Sequence, residues 1–189
     1  ADYEIERKTM IIIPFGGMPE VVKIYLAAKA VENLSKETLK QYRCKLLHFF
    51  KEVTKPVETI EPNDIRLYLY KFKQTRNIGD RYLESVRITL SGFFAWLVAN
   101  EYIRKNPCEK VNKIHFQVME REPLDTYQLE QVRWNCKDIR EKALIDFLFS
   151  TGCRVSECAK VNKSDINWQD RSVVIRHGKG NKMRYVYLI

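Results

Sequence analysis

The sequence predicts a mainly α-helical protein whose second part carries a β-hairpin, and three features support this. Apolar residues recur at three- and four-residue spacing through most of the first half. A stretch without such periodicity follows, longer than an ordinary loop inside one domain. Alternating or β-branched runs at 172–176 and 183–188 then flank a glycine-containing loop. The expected organisation is an N-terminal extension (1–17), a four-helix bundle (18–105), a linker (106–123) and a second domain (124–189).

Each of the four predicted helices of the first half has an apolar stripe and recognisable end signals. The first covers residues 18–33. Ser35 is the expected N-cap of the second, which stops before Pro56. Pro62 stands in the first turn of the third helix, and an Asn-Ile-Gly-Asp turn at 77–80 precedes the fourth.

The second half is predicted to begin with two helices. Asp125 is the expected N-cap of a short helix, and a second helix spans about 138–150. That second helix is apolar nearly all round, which predicts burial. Gly152 ends it, and a further short helix is expected at about 155–161, before the hairpin.

The chain is basic, with 33 Lys and Arg against 24 Asp and Glu and a net charge of +9. Such a charge favours polyanionic partners, nucleic acid among them, although ribosome association, membrane surfaces and plain solubility are competing explanations. At 45% hydrophobic and 30% charged residues the composition is that of a globular protein. No apolar run approaches the roughly 18 residues of a membrane span, and no secretory signal is recognisable, so we expect a cytoplasmic protein.

The cysteine pattern predicts no metal site. Five cysteines occur at irregular spacing, and no Cys-x-x-Cys pair is present. Reduced thiols of a cytosolic protein are the simplest explanation. The five are Cys44, Cys108, Cys136, Cys153 and Cys158.

Arg154 is the first candidate for chemistry, because it follows Gly152 at the start of a predicted short helix. A guanidinium can donate two parallel hydrogen bonds to a phosphate and stays charged at any relevant pH. Helix N-termini also favour phosphate. The competing interpretation is a surface arginine paired with Glu157, three residues later, or with Asp165.

Lys179 is the second candidate. It lies between two glycines in the predicted hairpin loop, where the backbone can approach a ligand closely. A lysine at such a tip can reach a leaving oxygen, although a solvated turn lysine is the ordinary alternative. Lys182 and Arg184 continue the basic edge, and with a nucleic-acid partner they are expected to contact backbone phosphate rather than do chemistry.

Two motifs resemble those of the tyrosine recombinase, or phage integrase, family. Residues 151–157 read Thr-Gly-Cys-Arg-Val-Ser-Glu, and residues 178–184 read Gly-Lys-Gly-Asn-Lys-Met-Arg. The first half resembles the SAM-like core-binding domain of that family, with a long helix ending Phe-Phe-Ala-Trp-Leu at 93–97 and a closing Asn-Pro at 106–107. The resemblance implies a SAM-like four-helix core-binding domain followed by the first part of an α+β catalytic domain.

The resemblance also implies the chemistry. Arg154 would be the first catalytic arginine, held in place by Glu157. Lys179 would protonate the 5′-hydroxyl as a 3′-phosphotyrosine bond forms, with no metal, ATP or other cofactor. Double-stranded DNA would be the partner, and the intact protein would act as a tetramer.

Other family groups have no match here. The His-x-x-Arg box and the nucleophilic tyrosine are not found, and Tyr185 and Tyr187 lie on the predicted strand beside Lys179. We therefore expect a fragment that binds DNA without cleaving it, and whether it acts as an enzyme stays open. A non-catalytic DNA-binding regulator, a type IB topoisomerase and a basic helical protein without a nucleic-acid role are the alternatives.

In the first half, six residues on polar helix surfaces are candidates for phosphate contact. Such contacts position a protein on DNA without reading its sequence. Tyr42, His48 and Trp96 are interpreted instead as residues of the core or its edge. The six candidates are Lys36, Thr38, Lys40, Arg43, Arg81 and Arg87.

Overall fold

The structure, a computed structural model, describes residues 19–118, 120, 122–176 and 182–188. They form two compact units, the first running to Val118 and the second following it. The predicted extension at 1–17 and the hairpin loop that carries Lys179 lie outside the described residues. No helix within the described ranges is long and apolar enough to cross a membrane.

The first unit contains the four predicted helices. The N-cap prediction for Ser35 is confirmed, since its hydroxyl accepts the backbone N–H of Thr38 at 3.2 Å. Pro62 is the first residue of its helix, where its missing N–H costs nothing. The helices are α1 (Glu20–Val31), α2 (Lys36–Glu52), α3 (Pro62–Arg76) and α4 (Asp80–Ala99).

Aromatic side chains fill the core of this bundle. The Phe49 ring of α2 meets the rings of Tyr68 and Phe94 edge-on, with centroids 4.9 and 6.0 Å away. These edge-to-face contacts add to the stabilisation from burial, which is about 1.5–3 kcal/mol for each large apolar side chain. Core packing therefore joins α2, α3 and α4 through a few large rings.

The predicted linker at 106–123 is not uniform. Its first residues form a 3₁₀ turn at Pro107–Lys110, and Cys108 and Val111 are buried in the core of the bundle. Ile114 packs against the same core. These isolated apolar residues have no periodicity, so the sequence could not show that they close one side of the first unit.

The described residues of the second unit form three α-helices and a small antiparallel sheet of order β1–β2–β3. The predicted hairpin is confirmed, because Val173 of β2 pairs with Val186 of β3. Strand β1 was not predicted. The elements are α5 (Thr126–Trp134), α6 (Ile139–Thr151), α7 (Val155–Cys158), β1 (Ile166–Asn167), β2 (Ser172–Ile175) and β3 (Arg184–Tyr187).

The predicted burial of α6 is wrong. No residue of this helix is fully buried, and the Phe149 side chain is 58% exposed. Phe147 and Leu148 pack against the small cluster formed by Cys153 and the residues of β2, so only one side of the helix is covered by the described residues. An apolar sequence shows that a helix can be buried. Which of its faces are buried depends on the elements that pack against it.

Candidate active site

A turn between α6 and α7 sets the position of Arg154. Gly152 ends α6 in the left-handed conformation, with φ of 57°, which a residue without Cβ adopts without strain. The chain then extends, and Arg154 becomes the residue just before α7. Because α7 has only four residues, the expected help of a helix dipole in binding phosphate is not supported here.

Glu157 fixes Arg154 at two points. Its carboxylate accepts the backbone N–H of Arg154 at 2.9 Å and the side-chain Nη1 of the same residue at 2.8 Å. Glu157 itself is only 4% exposed. The buried carboxylate thus orients both the main chain and the guanidinium of Arg154.

A second arginine binds the same carboxylate from β3. Arg184 donates from Nη1 to Oε1 of Glu157 at 3.1 Å and from Nη2 to Oε2 at 2.6 Å. Hydrogen bonds lower the pKa of Glu157 to about 2. The largest contribution comes from the Arg184 side chain, and the next from the backbone N–H of Arg154. The carboxylate is therefore ionised at neutral pH, and the group of three side chains has a net charge of +1.

The two guanidinium groups remain accessible. The side chain of Arg154 is 59% exposed and that of Arg184 is 37% exposed. Among the described residues, Glu157 is the one hydrogen-bond partner of the Arg154 side chain. Its other N–H groups can therefore bind an anionic oxygen from solvent.

Asp165, the alternative partner considered for Arg154, is occupied by another residue. Its Oδ1 accepts Nε of Arg176 at 2.6 Å, and its Oδ2 accepts the backbone N–H of Asn162 at 2.9 Å. The Asn162 backbone bond, followed by the Arg176 bond, lowers the pKa of Asp165. This pair was not predicted, because Asp165 directly precedes β1 and Arg176 directly follows β2, and β1 was not predicted from the sequence.

The candidates for DNA contact on α2 share one face. Lys36, Lys40 and Arg43 follow at i, i+4 and i+7, and the two lysines are exposed. Thr38 lies next to them, and its hydroxyl is 2.8 Å from that of Ser35. This stripe is a basic surface at the start of the helix.

The two candidates on α4 differ from this stripe. Arg81 is exposed and its guanidinium lies 5.6 Å from the ring centre of Phe116. Arg87 is half-buried and donates to Glu84 from Nε at 2.9 Å and from Nη2 at 2.8 Å. Glu84 was not recognised from the sequence as a partner of Arg87. Its position three residues before Arg87 in a predicted helix was a signal for an ion pair between the two.

Of the hairpin candidates, Lys182 is exposed just before β3, and Arg184 joins the Glu157 group described above. Lys179 falls outside the described residues. The structure therefore brings together Arg154, Glu157 and Arg184 from the predicted set. No cluster of His, Cys, Asp or Glu suited to a metal ion occurs in the part of the chain that the structure describes.

Two family descriptions match the chain, and together they cover most of it. The phage integrase N-terminal SAM-like domain matches residues 24–101, and the phage integrase family matches residues 122–189. This chain belongs to the phage integrase family of tyrosine recombinases. The expected fold is confirmed: a SAM-like bundle is followed by part of an integrase catalytic domain.

Bacterial XerC tyrosine recombinases are among the curated relatives of this integrase-family chain. It is 30% identical over 172 residues to tyrosine recombinase XerC of Anoxybacillus flavithermus, covering 82% of this chain and 54% of that protein. It is 34% identical over 134 residues to XerC of Listeria welshimeri, covering 65% of this chain and 42% of that protein. The chain thus spans about half the length of the curated relatives it matches.

Solved structures support the fold of this family member. A lambda integrase (75–356) dimer bound to a COC′ core site has a TM-score of 0.75 at 18% identity, covering 88% of this chain and 60% of that one. The Tn1549 transposon integrase in complex with circular-intermediate DNA has a TM-score of 0.62 at 17% identity, covering 88% of this chain and 57% of that one. At these identities the likeness concerns the fold.

Proposed function

We propose that the chain is the DNA-binding part of a site-specific recombinase that breaks and rejoins DNA through a 3′-phosphotyrosine intermediate. The observation that carries this proposal is the buried Glu157 carboxylate, which holds two exposed guanidinium groups side by side. The nucleophilic tyrosine is not assigned to any residue of this chain. Covalent catalysis of this kind conserves the energy of the broken bond and needs no metal or ATP.

Arg154 would bind the phosphodiester under attack. The non-bridging oxygens gain negative charge in the transition state, and a preorganised donor there contributes on the order of 3 kcal/mol. Glu157 would act as a positioning residue, since it is buried and both its carboxylate oxygens accept hydrogen bonds from Arg154 and Arg184. Arg184 shares that carboxylate, so it lies close enough to Arg154 to add its positive charge to the same site.

Lys179 would act as general acid, delivering a proton to the 5′-oxygen that leaves as the phosphotyrosine forms. This assignment comes from the Gly-Lys-Gly motif. Lys182, exposed at the base of the same hairpin, would contact a backbone phosphate.

Double-stranded DNA is the proposed partner. The lambda integrase structures include a dimer bound to a COC′ core site and a tetramer bound to a Holliday junction. We infer that the intact protein likewise binds duplex DNA and assembles as a tetramer on it. The exposed lysines of α2 would position the bundle on the backbone, together with Thr38, Arg43 and, on α4, Arg81. Arg87 was the second candidate on α4, but its guanidinium is paired with the Glu84 carboxylate.

Titration of duplex DNA at several salt concentrations tests DNA binding. If about six phosphates are neutralised, log K falls with log salt at a slope near −5. A flat response would contradict the proposal and favour a basic helical protein without a nucleic-acid role.

A non-catalytic DNA-binding regulator is the second candidate function, because the described basic surface of α2 serves DNA binding with or without strand cleavage. The reading frame past the codon for Ile189 separates the two. A continuing frame with His-x-x-Arg and a late tyrosine supports the recombinase, whereas a stop codon supports the regulator.

A further inference from the structure

Glu84 is a buried carboxylate in the middle of the bundle, outside the candidate active site. It lies in α4 and is only 4% exposed. Arg87, one turn later, donates two hydrogen bonds to it from Nε and Nη2. A buried charge is tolerated only when it is paired and hydrogen-bonded, and this bidentate pair meets that condition in part.

The remaining donor comes from the segment that leaves the bundle. The backbone N–H of Ile114 donates to Oε2 of Glu84 at 2.9 Å, across 30 residues of sequence. The Arg87 hydrogen bonds, aided by that of Ile114, lower the pKa of Glu84. An ionised, buried carboxylate thus holds the main chain at Ile114.

Neighbouring contacts tie the same stretch, 111–116, to the bundle. Val111 is buried in the core, and Ile114 packs against it. Beyond them, the ring of Phe116 lies under the guanidinium of Arg81. The stretch 111–116, here called the anchored segment, is therefore attached at its start, middle and end.

We propose that Glu84 is a positioning residue that fixes where the connection between the two units begins. With the anchored segment in place, this connection comprises only residues 117–124. Arg87 then serves to neutralise the buried carboxylate rather than to contact DNA. The functional consequence rests on the proposed DNA binding: a shorter connection keeps the second unit at a higher effective concentration near DNA that the bundle has bound.

The size of this effect follows from the length of the connection. Releasing residues 112–116 would lengthen the connection from 117–124 to 112–124. Effective concentration falls as about the −3/2 power of linker length, so release weakens binding by both units about two-fold. The effect is modest, and the anchor itself must be measured directly.

Amide hydrogen exchange on the whole chain tests the anchor. Glu84→Ala removes the acceptor, and we expect the Ile114 amide to exchange at least about ten-fold faster, because its protection reports local opening. The amide of Leu97, buried in α4, is the internal control for a folded bundle. Unchanged exchange at Ile114 with Leu97 still protected would overturn the proposal.

A second variant avoids leaving Arg87 with no carboxylate partner. Phe116→Ser removes the ring under Arg81 without touching the core. We expect faster exchange of the Ile114 amide, which is hydrogen-bonded to Glu84 two residues before Phe116, while the bundle stays folded. If exchange there is the same as in the parent chain, the segment is not anchored at Phe116 and the proposal fails in this form.

DNA affinity tests the consequence, with Glu109→Ala as the matched control. Glu109 is exposed in the 3₁₀ turn. Glu109→Ala therefore removes one negative charge, as Glu84→Ala does, without removing the acceptor of the Ile114 amide. Glu84→Ala should bind a mixed-sequence duplex about two-fold more weakly than Glu109→Ala. Equal affinities would refute the role of Glu84 in DNA binding. If the parent chain does not bind DNA, the proposed function fails, while exchange at Ile114 still decides the anchor.

Discussion

Arg184 donates two hydrogen bonds to Glu157, of 3.1 and 2.6 Å, although 27 residues separate them in the chain. The same carboxylate holds the backbone and the side chain of Arg154. The position of Arg154 therefore depends on the sheet as well as on its own turn. A change in β3 is expected to alter the proposed phosphate site without touching Arg154.

The first prediction concerns the pH dependence that Glu157 gives to the second unit. Its pKa is lowered from 4.5 to about 2, so the unfolded chain takes up a proton at higher pH than the folded one. The stabilisation by this carboxylate is thus fully present above pH 4.5 and is lost as the pH falls toward 2. We expect Glu157→Gln to have a lower Tm than the parent at pH 7, and the difference to shrink through this window.

Thermal unfolding followed by circular dichroism between pH 7 and pH 2 measures this difference. Glu122→Gln is the control, because Glu122 is an exposed glutamate at the start of the same unit. A Tm difference between Glu157→Gln and the parent that stays constant across this range would count against the three-residue group.

The second prediction compares one substitution at two glycines. Gly152→Ala should destabilise the second unit by about 1 kcal/mol, because a residue with a Cβ is strained at φ of +57°. A steric clash does not contribute, since the added Cβ would meet no neighbour within 4 Å. Gly92→Ala should stabilise the first unit by about 0.5–1 kcal/mol, since Gly92 lies inside α4 and its Cβ would sit 3.9 Å from the Tyr25 hydroxyl. Urea denaturation measures both, and equal signs would contradict this explanation.

Local signals explain how much of the fold the sequence could predict. The N-caps Ser35 and Asp125 both accept the expected backbone N–H, and Gly152 ends α6 as its position suggested. These features depend on a few neighbouring residues, so they can be recognised without the fold. The alternation of the two hairpin strands is local in the same way.

Long-range pairing explains what the sequence could not predict. The contacts of Arg184 with Glu157 and of Ile114 with Glu84 join distant parts of the chain, and no spacing rule identifies them. The exposed side of α6 shows the same limit, because burial depends on neighbours that the sequence does not specify. Of the candidate site, Arg154 and Glu157 were found by motif, while the partnership with Arg184 required the structure.

The third prediction separates DNA contact from structural support. Lys40 is exposed on the basic stripe of α2, so Lys40→Ala should reduce the magnitude of the salt slope of DNA binding by about 1 and leave stability unchanged. Arg87→Ala should instead leave the buried Glu84 carboxylate without its guanidinium and destabilise the bundle by about 3 kcal/mol. Salt titrations and urea denaturation of both variants check this, and a stable Arg87→Ala with a smaller slope would make Arg87 a DNA contact after all.

The fourth prediction tests the aromatic core against an exposed ring of the same type. Phe49 is fully buried and meets the rings of Tyr68 and Phe94, so Phe49→Ala should destabilise the bundle by about 3–5 kcal/mol through lost burial and a cavity. Phe149→Ala is the matched control, because the Phe149 side chain is largely exposed on α6 and its loss should cost less than about 1 kcal/mol. Urea denaturation of the whole chain gives both values. Similar losses from the two substitutions would mean that α6 is covered in solution and that its exposed side is an interface.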